Sequence, residues 1–181
     1  MGRNRARRVA FKLPLMVLAM SVILTAQAAP DPKLDALVRR LFPTSTSVSP
    51  KMAAPPHYRV FGKSPDVAGE TLLGFAFWTT ELEPLERGYD GPIKILVGMD
   101  TRAALAGVVV VAHHEPYGSF SVDPPAFAAQ FVGKSIRDPF KVGQDVDAVS
   151  RASISIFSAT RAIRNSSRRI ATQLLPREAT R

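Results

Sequence analysis

Residues 107–113 read GVVVVAH and residues 93–97 read IKILV, with a turn region around Asp100–Ala106 between them. Two β-branched runs joined this way predict a hairpin of buried strands. The Val108–Val111 run has no polar alternation, so its strand is expected to be covered on both faces. Upstream, Tyr58–Phe61 and Thr71–Thr79 (TLLGFAFWT) read as two more strands, separated by the polar segment Gly62–Glu70. Helical patterns flank this β-rich centre. Lys33–Phe42 carries Leu34, Leu37, Val38 and Leu41 at i, i+3, i+4, i+7, and Pro43 stops it. Asp123 is a candidate N-cap before Pro124 and Pro125, with Phe127 and Phe131 on one face and Gly133 at the end. Ser153–Leu175 reads as a terminal helix with Ile156, Ile163, Ile170 and Leu174 as its apolar stripe. Thr44–Pro56 (TSTSVSPKMAAPP) reads as a surface linker. Strands in the middle and helices at both ends predict an α+β fold: one domain with a central antiparallel or mixed sheet.

The 181 residues are 46% hydrophobic and 22% charged, the balance of one globular domain with a core. The absence of cysteine excludes disulfides, iron–sulfur clusters and thiol catalysis. A formal charge of +9 points towards nucleic acid until it is located. Arg3, Arg5, Arg7, Arg8 and Lys12 precede an apolar run of 13 residues, Leu13–Thr25, and then Ala26-Gln27-Ala28. That is the layout of an export signal; the run is far short of the roughly 20 residues a membrane span needs. Without residues 1–28, 19 basic residues face 15 acidic ones, so the basicity belongs largely to the leader. The expected organisation is a signal peptide at 1–28, a helix and linker at 29–57, a ligand-binding domain at 58–175 and a tail at 176–181. The expected location is the periplasm. Arg161, Arg164 and Arg168 share one helix face, but an exported chain without a nucleic-acid motif gives no reason to expect nucleic acid as a partner. Such a stripe can dock an acidic protein or an anionic membrane, or be solvated.

Three segments concentrate chemical groups: 88–100 (GYDGPIKILVGMD), 113–117 (HHEPY) and 145–155 (DVDAVSRASIS). Ser150 and Ser153 precede the terminal helix, where unpaired amides and the helix dipole favour a phosphate. The same hydroxyls can instead simply cap the helix, worth about 1 kcal/mol. His113 and His114 would point to opposite faces of a strand, and His57 is the one other histidine, so convergent metal ligands are not expected. Phe75, Phe77 and Trp78 can wall a flat ligand or be plain core.

Together these residues resemble the FMN-binding domain family. The supporting blocks are LFP at 41–43, GFAFWTTELEPLERGYDGPIKILVGMD at 74–100, HHEP at 113–116, QFVGK at 130–134 and DAVSRAS at 147–153. The order and content of the blocks are most similar to the periplasmic flavin domain of the nitrous-oxide-reduction accessory protein NosR. That domain is related to flavin subunits of the sodium-pumping NADH:quinone reductase and Rnf complexes. The resemblance implies FMN, linked through its phosphate to the last hydroxyl of a D-x-x-[S/T]-G-A-T motif by a separate flavin transferase. In this chain the motif is Asp147-Ala148-Val149-Ser150-Arg151-Ala152-Ser153, which makes Ser153 the attachment residue, with Ser150, Ala152 and Asp147 around it. Arg151 stands where most members have Gly, and Ser153 where they have Thr. His114 and Glu115 fall where relatives have a loop beside the flavin ring, and Tyr117 or His114 is the expected packing partner. Ala103 stands where relatives usually have Gly, so a turn with different backbone angles is expected. The implied function is an extracytoplasmic redox carrier rather than an enzyme with its own substrate, served by separate donor and acceptor proteins that can include membrane-bound ones. The alternative is a flavin-free accessory module for a respiratory enzyme.

Overall fold

The computed structural model describes residues 31–64 and 67–177; the leader and the end of the C-terminal tail lie outside the described residues. The chain runs α1 (Pro32–Leu41), β1 (Ser45–Val48), β2 (Met52–Ala53), β3 (Pro56–Ser64), β4 (Val67–Trp78) and α2 (Thr79–Leu82). It continues with β5 (Lys94–Asp100), β6 (Leu105–Ala112), α3 (Gly118–Ser121), α4 (Pro125–Ala129) and α5 (Ser153–Leu174). The sheet order is β1-β3-β4-β5-β6, with β2 also pairing with β3, and every strand pairing is antiparallel. The fold is therefore α+β, with its longest helix last.

The period-two alternation of the strands sorts their side chains into two cores. Phe75 and Phe77 of β4, Ile95, Val97 and Met99 of β5, and Leu105 and Val108 of β6 face α5, where Ile156, Ile163 and Ile170 meet them. The intervening Ala76, Trp78, Leu96 and Val109 face the opposite way, against Leu34, Val38, Leu41 and Phe42 at α1. Val108 and Val109 are thus buried on opposite faces, as the valine run predicts, while Val111 emerges at the strand end. Phe75, Phe77 and Trp78 are core. Gly98 lets α1 sit close: a Cβ there would lie 2.9 Å from the Phe42 ring and 3.1 Å from Leu41 Cβ.

Four local expectations change. Thr44–Pro56 is not a linker; it supplies β1 and β2, which pair with β3. Its hydroxyls suit an edge strand, because Thr46 and Ser47 donate to the Glu70 carboxylate, the latter at 2.9 Å. The polar segment 62–70 continues the β3–β4 hairpin, with Lys63 opposite Glu70 and Ser64 opposite Val67. Asp123 does not cap α4, whose N-cap is Pro124; it faces His113 instead. Ala103 itself takes the left-handed backbone (φ 63°) that glycine favours, so the turn keeps glycine-type geometry with an alanine buried in the core.

The arginines of α5 are engaged within the fold. Arg161 pairs with Glu86 at 2.6 Å, Arg164 donates to Asn165, Arg168 donates to the carbonyls of Ile136 and Asp138, and Arg169 donates to that of Leu82. Arg161, Arg168 and Arg169 fasten the helix to the segments beside it, whereas the Arg164 bond stays within the helix.

Ile163→Ala, at the centre of the larger core, is expected to cost about 2–5 kcal/mol in urea denaturation. Val111→Ala, at the emerging end of β6, is expected to stay within about 0.5 kcal/mol. Equal losses would contradict the two-core packing.

Candidate functional site

The site forms where α5 begins. Residues ahead of it are ordered by Asp145, which accepts from the amides of Phe140 (3.0 Å) and Lys141 (2.6 Å) and from Lys134 Nζ (2.9 Å). Asp147 follows, exposed, its amide donating to Gln130 Oε1 at 2.6 Å. Ala152 closes a turn onto the Val149 carbonyl at 3.2 Å, and Arg151 between them has φ 67°. That left-handed backbone gives a physical reason for glycine at this position in related motifs, and Arg151 bears the cost.

Ala152 is the N-cap of α5, and among the described residues no side-chain cap bond is made at the helix start. Neither Ser150 nor Ser153 caps the helix. The first-turn amides of Ser153, Ile154 and Ser155 lie ahead of the intrahelical ladder, which begins with Ile156 N–H to the Ala152 carbonyl at 3.1 Å. Their partial positive charge gathers at one spot.

Over this helix start lies an open cavity of about 320 Å³, lined by Arg151 to Ser155 below and by Tyr89, Pro116 and Tyr117 at the sides. Tyr89, Ile154 and Tyr117 are 69%, 55% and 45% exposed, so large apolar surfaces face solvent around a concave site.

One buried carboxylate joins these walls. Glu115, 6% exposed, accepts from the amides of Tyr89 (3.0 Å) and Asp90 (3.1 Å) and from the Ser155 hydroxyl. Gly88 makes room for it, since a Cβ there would collide with the carboxylate. The Glu115 amide donates to His113 Nδ1 at 3.1 Å, which leaves the ring proton on Nε2, 2.7 Å from Asp123 Oδ1. Burial alone pushes the Glu115 carboxyl up. The Ser155 hydroxyl and the two amides more than offset this and hold it below the usual carboxylate range.

Of the residues singled out from sequence, Ser153 and Ala152 line the cavity. Ser150 and Asp147 are exposed on the approach to α5, and His114 is exposed on the loop after β6. Glu115 stands behind the wall. Sequence reasoning missed Tyr89 and Ser155 as parts of the site; Tyr89 sits in the GYDG turn, and Ser155 two residues beyond the motif, where spacing alone assigns it nothing. Among the described residues, no group of three or more His, Asp or Glu side chains is placed to hold a metal.

A small α+β domain with a phosphate-receptive helix start under an aromatic-sided cavity belongs to the class of cofactor-binding modules. Residues 88–167 match the family model of the FMN-binding domain, a span that contains every residue lining the cavity. No curated protein matches the chain. The match supports a flavin-binding module with FMN as its cofactor. The residues present suit that group. The α5 amides and Arg151 offer charge complementarity to a phosphate, and Tyr89 and Tyr117 offer flat apolar surface to a ring system.

Two outcomes are expected. Because the folded Glu115 carboxyl titrates below its ordinary value near 4.5, the stability it contributes is present above that pH and is lost as pH falls through the folded value. Melting temperatures of Glu115→Gln from about pH 6 to pH 3 should therefore fall less steeply than those of the parent. Arg151→Gly should raise stability by about 0.5–1 kcal/mol, read as a melting shift of about 2 °C, since it relieves the left-handed backbone.

Proposed function

We propose that this chain is an exported, FMN-carrying electron-transfer module of the NosR-related type, with the flavin joined through its phosphate to Ser153 Oγ. The observation that carries this reading is the state of the two serines lining the cavity. The Ser155 hydroxyl is committed to Glu115, whereas Ser153, exposed at the first position of α5, has no side-chain hydrogen bond among the described residues. Of the two serines in the cavity, Ser153 is the one whose hydroxyl is open to modification.

In esterification, Ser153 Oγ forms a bond to phosphorus and gives up its proton. The pyrophosphate bond of an FMN-donating dinucleotide breaks, and a nucleoside monophosphate leaves, with a flavin transferase as catalyst. The α5 amides and Arg151 then face the anchored phosphate, and the exposed approach at Asp147–Ser150 leaves room for the transferase. When bound, FMN supplies transfer of one or two electrons, which lets a carrier link different donors and acceptors. Tyr89 and Tyr117 would hold and partly shield its ring. The leader at 1–28 supports a periplasmic place of work. The carrier would exchange electrons with a separate donor and acceptor protein of a respiratory system.

Intact mass of mature protein co-produced with a flavin transferase tests this. The expected result is a gain equal to esterified FMN that persists through denaturation, is kept in Ser155→Ala and is lost in Ser153→Ala. An unmodified mass with flavin retained would make the binding non-covalent. An unmodified mass without flavin would favour a flavin-free accessory module.

A further inference from the structure

Glu115 has no role in the anchoring just described, yet it is the one buried carboxylate among the described residues. It lies on the segment that also supplies Pro116 and Tyr117. Its two oxygens reach the Tyr89–Asp90 turn on one side and Ser155 of α5 on the other. The three parts of the chain that enclose the cavity therefore meet at a single carboxylate, and each of its three donors belongs to a lining residue or to the neighbour of one.

We infer that Glu115 is the positioning residue of the flavin cavity, fixing its walls in register, and that its charge lowers the reduction potential of a flavin held there. The inference rests on the flavin reading above. The positioning half follows from reach: no other side chain bonds to both the Tyr89 turn and the α5 start among the described contacts. The electrostatic half follows from charge placement. A negative charge one hydrogen bond behind the wall, out of bulk water, opposes any gain of negative charge inside the cavity. Reduction adds electrons, so oxidised flavin is favoured and the midpoint potential falls.

The two halves separate in two variants. Glu115→Gln keeps the length and removes the charge: its amide oxygen, placed where Oε2 lies, still accepts from Tyr89 and Ser155, and the Asp90 amide alone loses its acceptor. Glu115→Asp keeps the charge and shortens the reach. With flavin-loaded protein, Glu115→Gln is expected to shift the midpoint potential upwards. Glu115→Asp should leave the potential near the parent value while weakening FMN binding to the non-covalent Ser153→Ala form about tenfold. Hydrogen exchange on the flavin-free parent supplies a readout independent of variant folding. The Tyr89 and Asp90 amides should be protected although their turn is at the surface.

Parent protein that takes up no FMN would sink the flavin reading and this inference with it. Parent protein that binds FMN, with a Glu115→Gln potential unchanged or lower, would overturn the electrostatic half alone. Rapid exchange at Tyr89 and Asp90, or unchanged FMN affinity in Glu115→Asp, would overturn the positioning half.

Discussion

Strands that are apolar on both faces must be covered twice, and most of this architecture follows from that constraint. Phe75, Phe77, Ile95, Val97 and Val108 require cover on one side, and Ala76, Trp78, Leu96 and Val109 on the other. At roughly 1.5–3 kcal/mol for each large side chain removed from water, neither face can be left bare. Helix α5 satisfies one requirement and α1 the other. Gly98 marks how tightly the second is met, because the end of α1 sits where a side chain would otherwise project. Once α5 is laid across the sheet, its start falls beside the loop that leaves β6, and a cavity opens between them.

That start is the polar counterpart of the core. A buried carboxylate is costly unless donors surround it. Glu115 meets this requirement with two backbone amides and a hydroxyl from parts of the chain 25, 26 and 40 residues away. Such a group contributes less as net stability than as specification, because few arrangements of the Tyr89 turn, the Pro116–Tyr117 loop and α5 satisfy all three donors together. His113 and Asp123 extend the same arrangement to the far side of the loop. The first-turn amides of α5, by contrast, have no side-chain cap among the described residues, and their charge faces the cavity.

Particular residues show how far the sequence could be read. Periodicity located α1 and α5 to within a residue or two, because their apolar stripes follow the helical repeat over several turns. Periodicity failed at Thr44–Pro56 and Gly62–Glu70, where edge strands and an extended hairpin are built from polar residues whose partners decide their conformation. Asp123 looked like a cap because Pro124 and Pro125 follow it, but His113 lies close enough to claim it. The Arg161, Arg164 and Arg168 pattern correctly indicated one face, yet Glu86 and the carbonyls of Ile136 and Asp138 meet two of these side chains and give the stripe a structural use.

By itself, the sequence determined the fold class, the two-sided burial of the Val108–Val109 strand and the helical repeat that begins at Ser153. Each of these depends on neighbours a few positions away, so local pattern carries it. Tertiary structure decided which side chains share the cavity, that Glu115 lies behind its wall, and that Ser155 is held while Ser153 is open. Those facts depend on contacts between segments remote in the chain. Spacing within one segment does not encode the distance to a carboxylate on another.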